Sequence, residues 1–240
     1  MPKSSQNSQS IWIALSFLIL GLFGGLLFAG GVSKNSNVQA PTQPTPDAAA
    51  AAQLQNLQVV AVSEDDDASM GSPDAPITLI EFSNFQCHYC QQFFAETLPQ
   101  IKENYIDKGL VRLVYRDYPS AGFPQAAVTA EAAECVGEEQ GDEGYFKMHD
   151  LIFTETAKWS GNPEAAEALA LLADTLGTDI RECLATGAME DETMADYTAA
   201  RSYGMRGTPT FFVNGKSLIG AQPYSVFDQL FQAELSSLQP

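Results

Sequence analysis

Apolar and polar positions change period several times along the chain, and each change marks a boundary. Residues Ile11 to Val32 carry no charge and are mostly Ile, Leu, Phe, Ala and Gly. As a helix this run would rise about 33 Å, close to the roughly 30 Å of a bilayer's hydrocarbon core. From Ser33 to Met70 the pattern dissolves into Pro41, Pro44 and Pro46, the alanines 48–52, and the acidic run Glu64-Asp65-Asp66-Asp67. That mixture buries little and predicts a mobile linker with solvated charges. Ile77 to Phe82 is apolar and β-rich, bounded by Pro76 and the polar Ser83-Asn84, and reads as a buried strand. From Tyr89 the period lengthens. Tyr89, Phe93, Phe94, Leu98, Ile101 and Tyr105 recur at spacings of three and four, which predicts an amphipathic helix to about Ile106 with a kink at Pro99. Past Gly109, Val111 to Tyr115 reads as a second strand.

A long helical stretch follows. Helices are predicted from Pro124 to about Glu139, from Glu143 to Thr156, and from Pro163 (capped by Asn162) to about Leu176. Shorter ones run over Asp179 to Ala185 and Glu190 to Tyr203. Thr210 to Val213 and Lys216 to Ile219 are strands joined by Asn214-Gly215, a two-residue hairpin signal. Tyr224 to about Ser236 closes the chain as a helix. The order is β-α-β, several helices, then β-β-α. This is an α/β chain whose two halves are those of a thioredoxin fold, with a helical subdomain inserted at about 120–190. The domain plan is a tail (1–10), a membrane anchor or signal segment (11–32), a flexible acidic linker (33–70) and the globular domain (71–238).

Composition narrows the function. The chain has 240 residues and a formal net charge of −18, with only 12 Lys and Arg. Nucleic-acid binding needs clustered basic residues, so nucleic acid is not an expected partner, and docking on an anionic lipid surface is disfavoured. The apolar run at 11–32 is longer than the usual signal-peptide core, which favours a permanent single-pass anchor over a cleaved signal. Both readings place the globular domain outside the cytoplasm.

Four cysteines are present: Cys87, Cys90, Cys135 and Cys183. Cys87-His88-Tyr89-Cys90 sits where the first strand hands over to a helix. Free N–H groups and the positive end of the dipole favour an anion there, so the thiolate of Cys87 is favoured and can attack. Cys90 lies one turn later, within bridging reach. Half a zinc site would need a second ligand pair, and no metal is expected. His88 and Tyr89 lie between the cysteines, and a protonated His88 would further favour the thiolate. Glu81, in mid-strand, should have a raised pKa if buried, and could relay protons to Cys90. Cys135 and Cys183 fall on two different helices of the insert and are expected to bridge in an oxidising compartment. His149 reads as a structural helix residue. In a thioredoxin fold the loop opposite C-x-x-C carries a cis proline, here Pro209 after Thr208, whose backbone can pair with a substrate strand.

Gly71-Ser72-Pro73-Asp74-Ala75-Pro76, the strand to Phe85 and Cys87-His88-Tyr89-Cys90 resemble the start of bacterial DsbA-like proteins of the thioredoxin superfamily. Gly207 to Gly215 is similar to their cis-proline segment, and Gly220-Ala221-Gln222-Pro223-Tyr224 resembles the entry to their last helix. The resemblance covers about Met70 to Ser237. It implies an exported thiol–disulfide oxidoreductase with Cys87 attacking, Cys90 resolving and Pro209 in cis, and the leading expectation is an oxidase that donates its Cys87–Cys90 disulfide to exported proteins. No cofactor is implied beyond the Cys87–Cys90 disulfide. Expected partners are exported proteins with thiols and a membrane redox protein that recharges the enzyme. Many relatives carry proline where this chain has His88. A reductase or isomerase on the same fold, or a chaperone-like binding module without redox turnover, are the alternatives.

Overall fold

The computed structural model describes residues 57–238. The expected membrane segment, and the linker as far as residue 56, lie outside them. Among the described residues no helix is long and apolar enough to cross a membrane.

Five strands form one sheet in the order β1-β3-β2-β4-β5. They are β1 Ser69–Met70, β2 Ile77–Ser83, β3 Val111–Asp117, β4 Thr210–Val213 and β5 Lys216–Ile219. Strands β2 and β3 are parallel, with Leu79 opposite Leu113 and Glu81 opposite Tyr115. The other pairings are antiparallel. Because β2 is central and covered on both faces, its apolar run is nearly continuous rather than alternating. One face carries Leu79, Phe211 and Val213, packed with Phe93 and Phe227. The other carries Ile80, Phe82, Val114 and Phe212, packed with Ala200 and Met205. Asn214 and Gly215 both take positive φ, as a tight two-residue hairpin requires. A Cβ on Gly215 would lie 2.7 Å from the Val60 carbonyl oxygen, so glycine is the residue that fits.

Helix α1 begins at His88–Gln92 and continues through Phe93–Thr97, Leu98–Ile101 and Lys102–Ile106. Its distortion is not a single kink at Pro99. Pro99 cannot donate a hydrogen bond to the preceding turn, and the helix widens into π-type turns at Phe93–Thr97 and Lys102–Ile106 instead. The insert holds α2 Ala126–Thr154, α3 Thr156–Trp159, α4 Ala165–Asp174 and α5 Arg181–Thr186. Helix α2 unites the two helices predicted around Gly141, whose φ of 69° and ψ of −168° break the regular turn. Helix α4 starts at Ala165 rather than Pro163, because Asn162 Oδ1 accepts the Glu164 N–H and forms a turn ahead of it. Helix α6 Glu190–Ser202 leads back to the sheet, and α7 Tyr224–Ser237 ends the fold.

The expectation of a mobile, solvated linker up to Met70 does not hold for its last part. Val60 N–H donates to Gly215 O at 2.8 Å, and Ser69–Met70 pairs with β3. The acidic run is folded onto two arginines. Glu64 pairs with Arg112, while Asp65 and Asp67 join Asp196 around Arg116, which is 1% exposed. A buried guanidinium needs compensating carboxylates, and this segment supplies two of the three. The oxygens of Asp65, Asp67 and Asp196 lie within 4.8 Å of one another, and Arg116 provides the positive charge among them.

Candidate active site

The turn from β2 into α1 is built by Asn84. Its carbonyl accepts the Cys87 N–H at 2.9 Å, and its side-chain oxygen accepts the Gln86 N–H at 2.8 Å. Its amide donates to Tyr118 O at 3.1 Å, fixing the turn to the end of β3. Cys87 therefore sits at the cap of α1 with extended backbone (φ −78°, ψ 123°). Both cysteines are free thiols and buried, Cys87 at 5% exposure and Cys90 at 0%.

The two sulfurs are driven in opposite directions. Cys87 is lowered to about 5, first by the Cys90 side chain, then by Thr208 and the N–H groups of Cys90 and Tyr89, against the cost of burial. Cys90 is raised well above the usual thiol range, first by burial and then by Cys87 and the charge of Glu81. Cys87 is thus an anion near neutral pH and Cys90 keeps its proton. Glu81, 2% exposed, is raised to about 8, first by burial. Glu81 and Ser83 alternate onto the same face of β2, the face covered by α1.

Thr208–Pro209 is a cis peptide, and the Cys87 thiol lies 3.4 Å from Thr208 O. Gly220 N–H donates to Pro209 O at 2.8 Å, and Thr210 Oγ1 donates to Gly207 O at 2.8 Å, so this loop is tied to β5 and to itself. The structure therefore gathers Cys87, Cys90, Glu81, Thr208 and Pro209 at one end of the sheet. His88 and Tyr89 are exposed beside Cys87, their rings 5.8 Å apart. The lowering of Cys87 comes from backbone N–H groups, Thr208 and Cys90. Cys135 and Cys183 are bonded between α2 and α5 with a Cα–Cα distance of 6.1 Å, away from the pair. His149 is 1% exposed among Phe85, Phe94, Tyr115 and Phe153, and burial lowers its pKa, so it packs as a neutral ring. Sequence reading missed Asn84 and Ser83. The strict alternation of Glu81 and Ser83 on β2 was the available signal for Ser83.

A family model described as thioredoxin matches residues 63–233, and the chain belongs to that family. The chain is 35% identical over 173 residues to the Na(+)/H(+) antiporter NhaA 3 of Salinispora tropica, covering 70% of this chain and 24% of that protein. The chain thus spans about a quarter of the length of the first curated relatives it matches. It is 26% identical over 171 residues to disulfide bond formation protein D of Bacillus subtilis, covering 69% of this chain and 76% of that one. Among solved structures, oxidised BdbD from Bacillus subtilis superposes with a TM-score of 0.65 at 23% identity, covering 75% of this chain and 99% of that chain. The fold is therefore the thioredoxin fold, with a helical insert between β3 and β4.

Proposed function

We propose that the protein is a thiol–disulfide oxidoreductase that donates the Cys87–Cys90 disulfide to exported proteins. The observation that carries this reading is the opposed titration of two sulfurs one helical turn apart, Cys87 held near 5 and Cys90 held up. A stabilised Cys87 thiolate stabilises the reduced pair, and so makes the disulfide the better electron acceptor. A substrate thiolate attacks Cys87 Sγ, the S–S bond breaks, and Cys90 leaves with the electron pair. A second substrate thiolate then attacks the substrate sulfur of the mixed disulfide, which forms the substrate disulfide and expels Cys87 as the thiolate. Glu81, buried and carrying its proton at neutral pH, supplies the proton that Cys90 takes up. The Thr208–Pro209 loop, against Cys87, offers backbone to an extended substrate segment. His88 is assigned to tuning, because a cation there would favour the neighbouring thiolate.

The pair supplies its own redox chemistry, so the reading requires no cofactor. It requires a membrane redox partner to reoxidise the pair, an extracytoplasmic location, and a tether at residues 11–32 or a cleaved signal there. The Cys135–Cys183 bond is assigned a structural role in the insert. The test is trapping. Cys90→Ala in the native cell should accumulate mixed disulfides on Cys87 with exported proteins. Their absence would sink the catalytic reading in favour of a binding module.

A further inference from the structure

The turn that carries Cys87 is gripped from the helical insert as well as from the sheet. Gln86, the residue before Cys87, faces Gln125 at the start of α2, and 39 positions separate the two in the chain. They share a reciprocal pair of hydrogen bonds. Gln86 Nε2 donates to Gln125 Oε1 at 2.9 Å, and the Gln125 backbone N–H donates to Gln86 Oε1 at 2.9 Å. Gln125 stands where a helix-capping side chain is expected, yet its side chain makes no capping hydrogen bond to its own helix. Its polar atoms are all directed elsewhere. Nε2 donates to Trp159 O at 3.0 Å and to Asn162 O at 2.8 Å, and Oε1 also accepts the Gly161 N–H at 2.8 Å. A carboxamide has two donor hydrogens and two acceptor lone pairs, so every site is used. The partners fix which way the amide points. Turned over, its oxygen would face two carbonyl oxygens and its nitrogen two N–H groups.

We infer that Gln125 is a positioning residue for thiol–disulfide exchange, fixing the Cys87 turn to the helical insert through Gln86. This rests on the thiol–disulfide reading and names what holds its nucleophile in place. The contacts are continuous. Trp159 is buried and its indole N–H donates to Ile152 O at 2.8 Å, so the turn from Trp159 to Asn162 is seated in the insert. Gln125 joins that turn to Gln86. Each of the three residues ahead of Cys87 is held by a side-chain hydrogen bond: Asn84 Nδ2 donates to Tyr118 O, Gln91 Nε2 donates to Phe85 O, and Gln86 is paired with Gln125. Of these, the Gln86–Gln125 pair is the one that reaches the insert. Cys87 Sγ meets two demands at once. It stands at the free N–H groups of the first turn of α1, which stabilise a thiolate, and at 3.4 Å from Thr208 O across the site. Both depend on where the Cys87 backbone lies, extended at φ −78° and ψ 123°. Gln86 and Gln125 are half-buried, so their two amide hydrogen bonds are partly shielded from competing water and constrain that backbone from the insert side.

The test uses Gln86→Met, Gln125→Met, the double variant and Gln140→Met in the full chain. Methionine keeps the length of glutamine and removes its hydrogen bonds. Gln140 donates to Leu176 O and Thr178 Oγ1 within the insert, so its variant controls for a general loosening there. The readout is the pH profile of Cys87 alkylation by iodoacetamide in the reduced protein. Gln86→Met and Gln125→Met should each move the inflection upward by about half a unit to one unit, as expected for one weakened hydrogen bond to the thiolate. The reduction potential should fall in step, because a less stabilised thiolate makes the disulfide a poorer electron acceptor. The double variant should show no further rise over Gln86→Met, because Gln125 acts on Cys87 through Gln86. Gln140→Met should keep the parent inflection. Should Gln125→Met fail to fold, Gln86→Met decides alone, since it leaves the bonds of Gln125 to Trp159, Gly161 and Asn162 in place. Parent inflections in the Gln86 and Gln125 variants, additive rises in the double variant, or an equal rise in Gln140→Met would each overturn the positioning role and leave the thiol–disulfide reading standing. A parent protein whose Cys87 inflects at the ordinary thiol value would overturn both.

Discussion

Cys87 Sγ and the carbonyl oxygen of Thr208 stand 3.4 Å apart, although 121 positions separate them in the chain. Cys87 and the Thr208–Pro209 loop are thus one unit, held by Asn84 on one side and by the Gly220–Pro209 hydrogen bond on the other.

The first consequence concerns pH. Cys87 in the reduced protein should react with iodoacetamide with an inflection near 5, not near the ordinary thiol value of 9.0. Because the folded pKa is lowered, the thiolate contributes stability that is complete above the unfolded value and is lost as pH falls through about 5. Urea midpoints of the reduced protein should therefore rise across that window relative to the oxidised protein, in which Cys87 does not titrate.

Glu81 has the opposite sign. Its pKa is raised from 4.5 to about 8, so the unfolded chain loses the proton first and folding becomes costlier between those values. Glu81→Gln should raise the melting temperature, with a gain that grows from pH 4.5 and levels near 8. The ceiling is about 5 kcal/mol for a fully buried group. The same variant should slow disulfide reduction at neutral pH, because the proton donor to Cys90 is gone. A pH-independent stability change would contradict the assignment.

Arg116 holds the N-terminal acidic run and α6 to the sheet. Arg116→Met leaves Asp67 and Asp196 buried without their partner. The expected loss is about 3–5 kcal/mol, read as a fall in urea midpoint.

The insert is closed by a bond spanning a sequence separation of 48. Replacing Cys135 and Cys183 together by alanine should cost about 4 kcal/mol in the chain-entropy view. The alkylation rate of Cys87 should be unaffected, since neither cysteine is among the groups that lower the Cys87 thiol.

How much of this was legible beforehand depends on the range of the forces involved. The buried strand at Ile77, the helix opening at the C-x-x-C pair and the Asn214-Gly215 hairpin are local, and composition and period reveal them. The acidic run was misread because its partners are Arg112 and Arg116, about fifty residues away, and Asp196 farther still. Only the folded sheet brings these charges together. A two-residue strand such as Ser69–Met70 has no period to detect. Gln86 and Gln125 look like ordinary polar positions, and their reciprocal hydrogen bonds exist only once the Cys87 turn and α2 are packed together.

The reduction potential of the Cys87–Cys90 pair tests the central claim most directly. A Cys87 pKa near 5 at pH 7 shifts the couple by at most about 60 mV toward oxidising values, less after solvent screening. Equilibration with glutathione should therefore give a value tens of millivolts above thioredoxin's, which is about −270 mV. A potential at or below that figure would contradict disulfide donation and assign the same site to reduction.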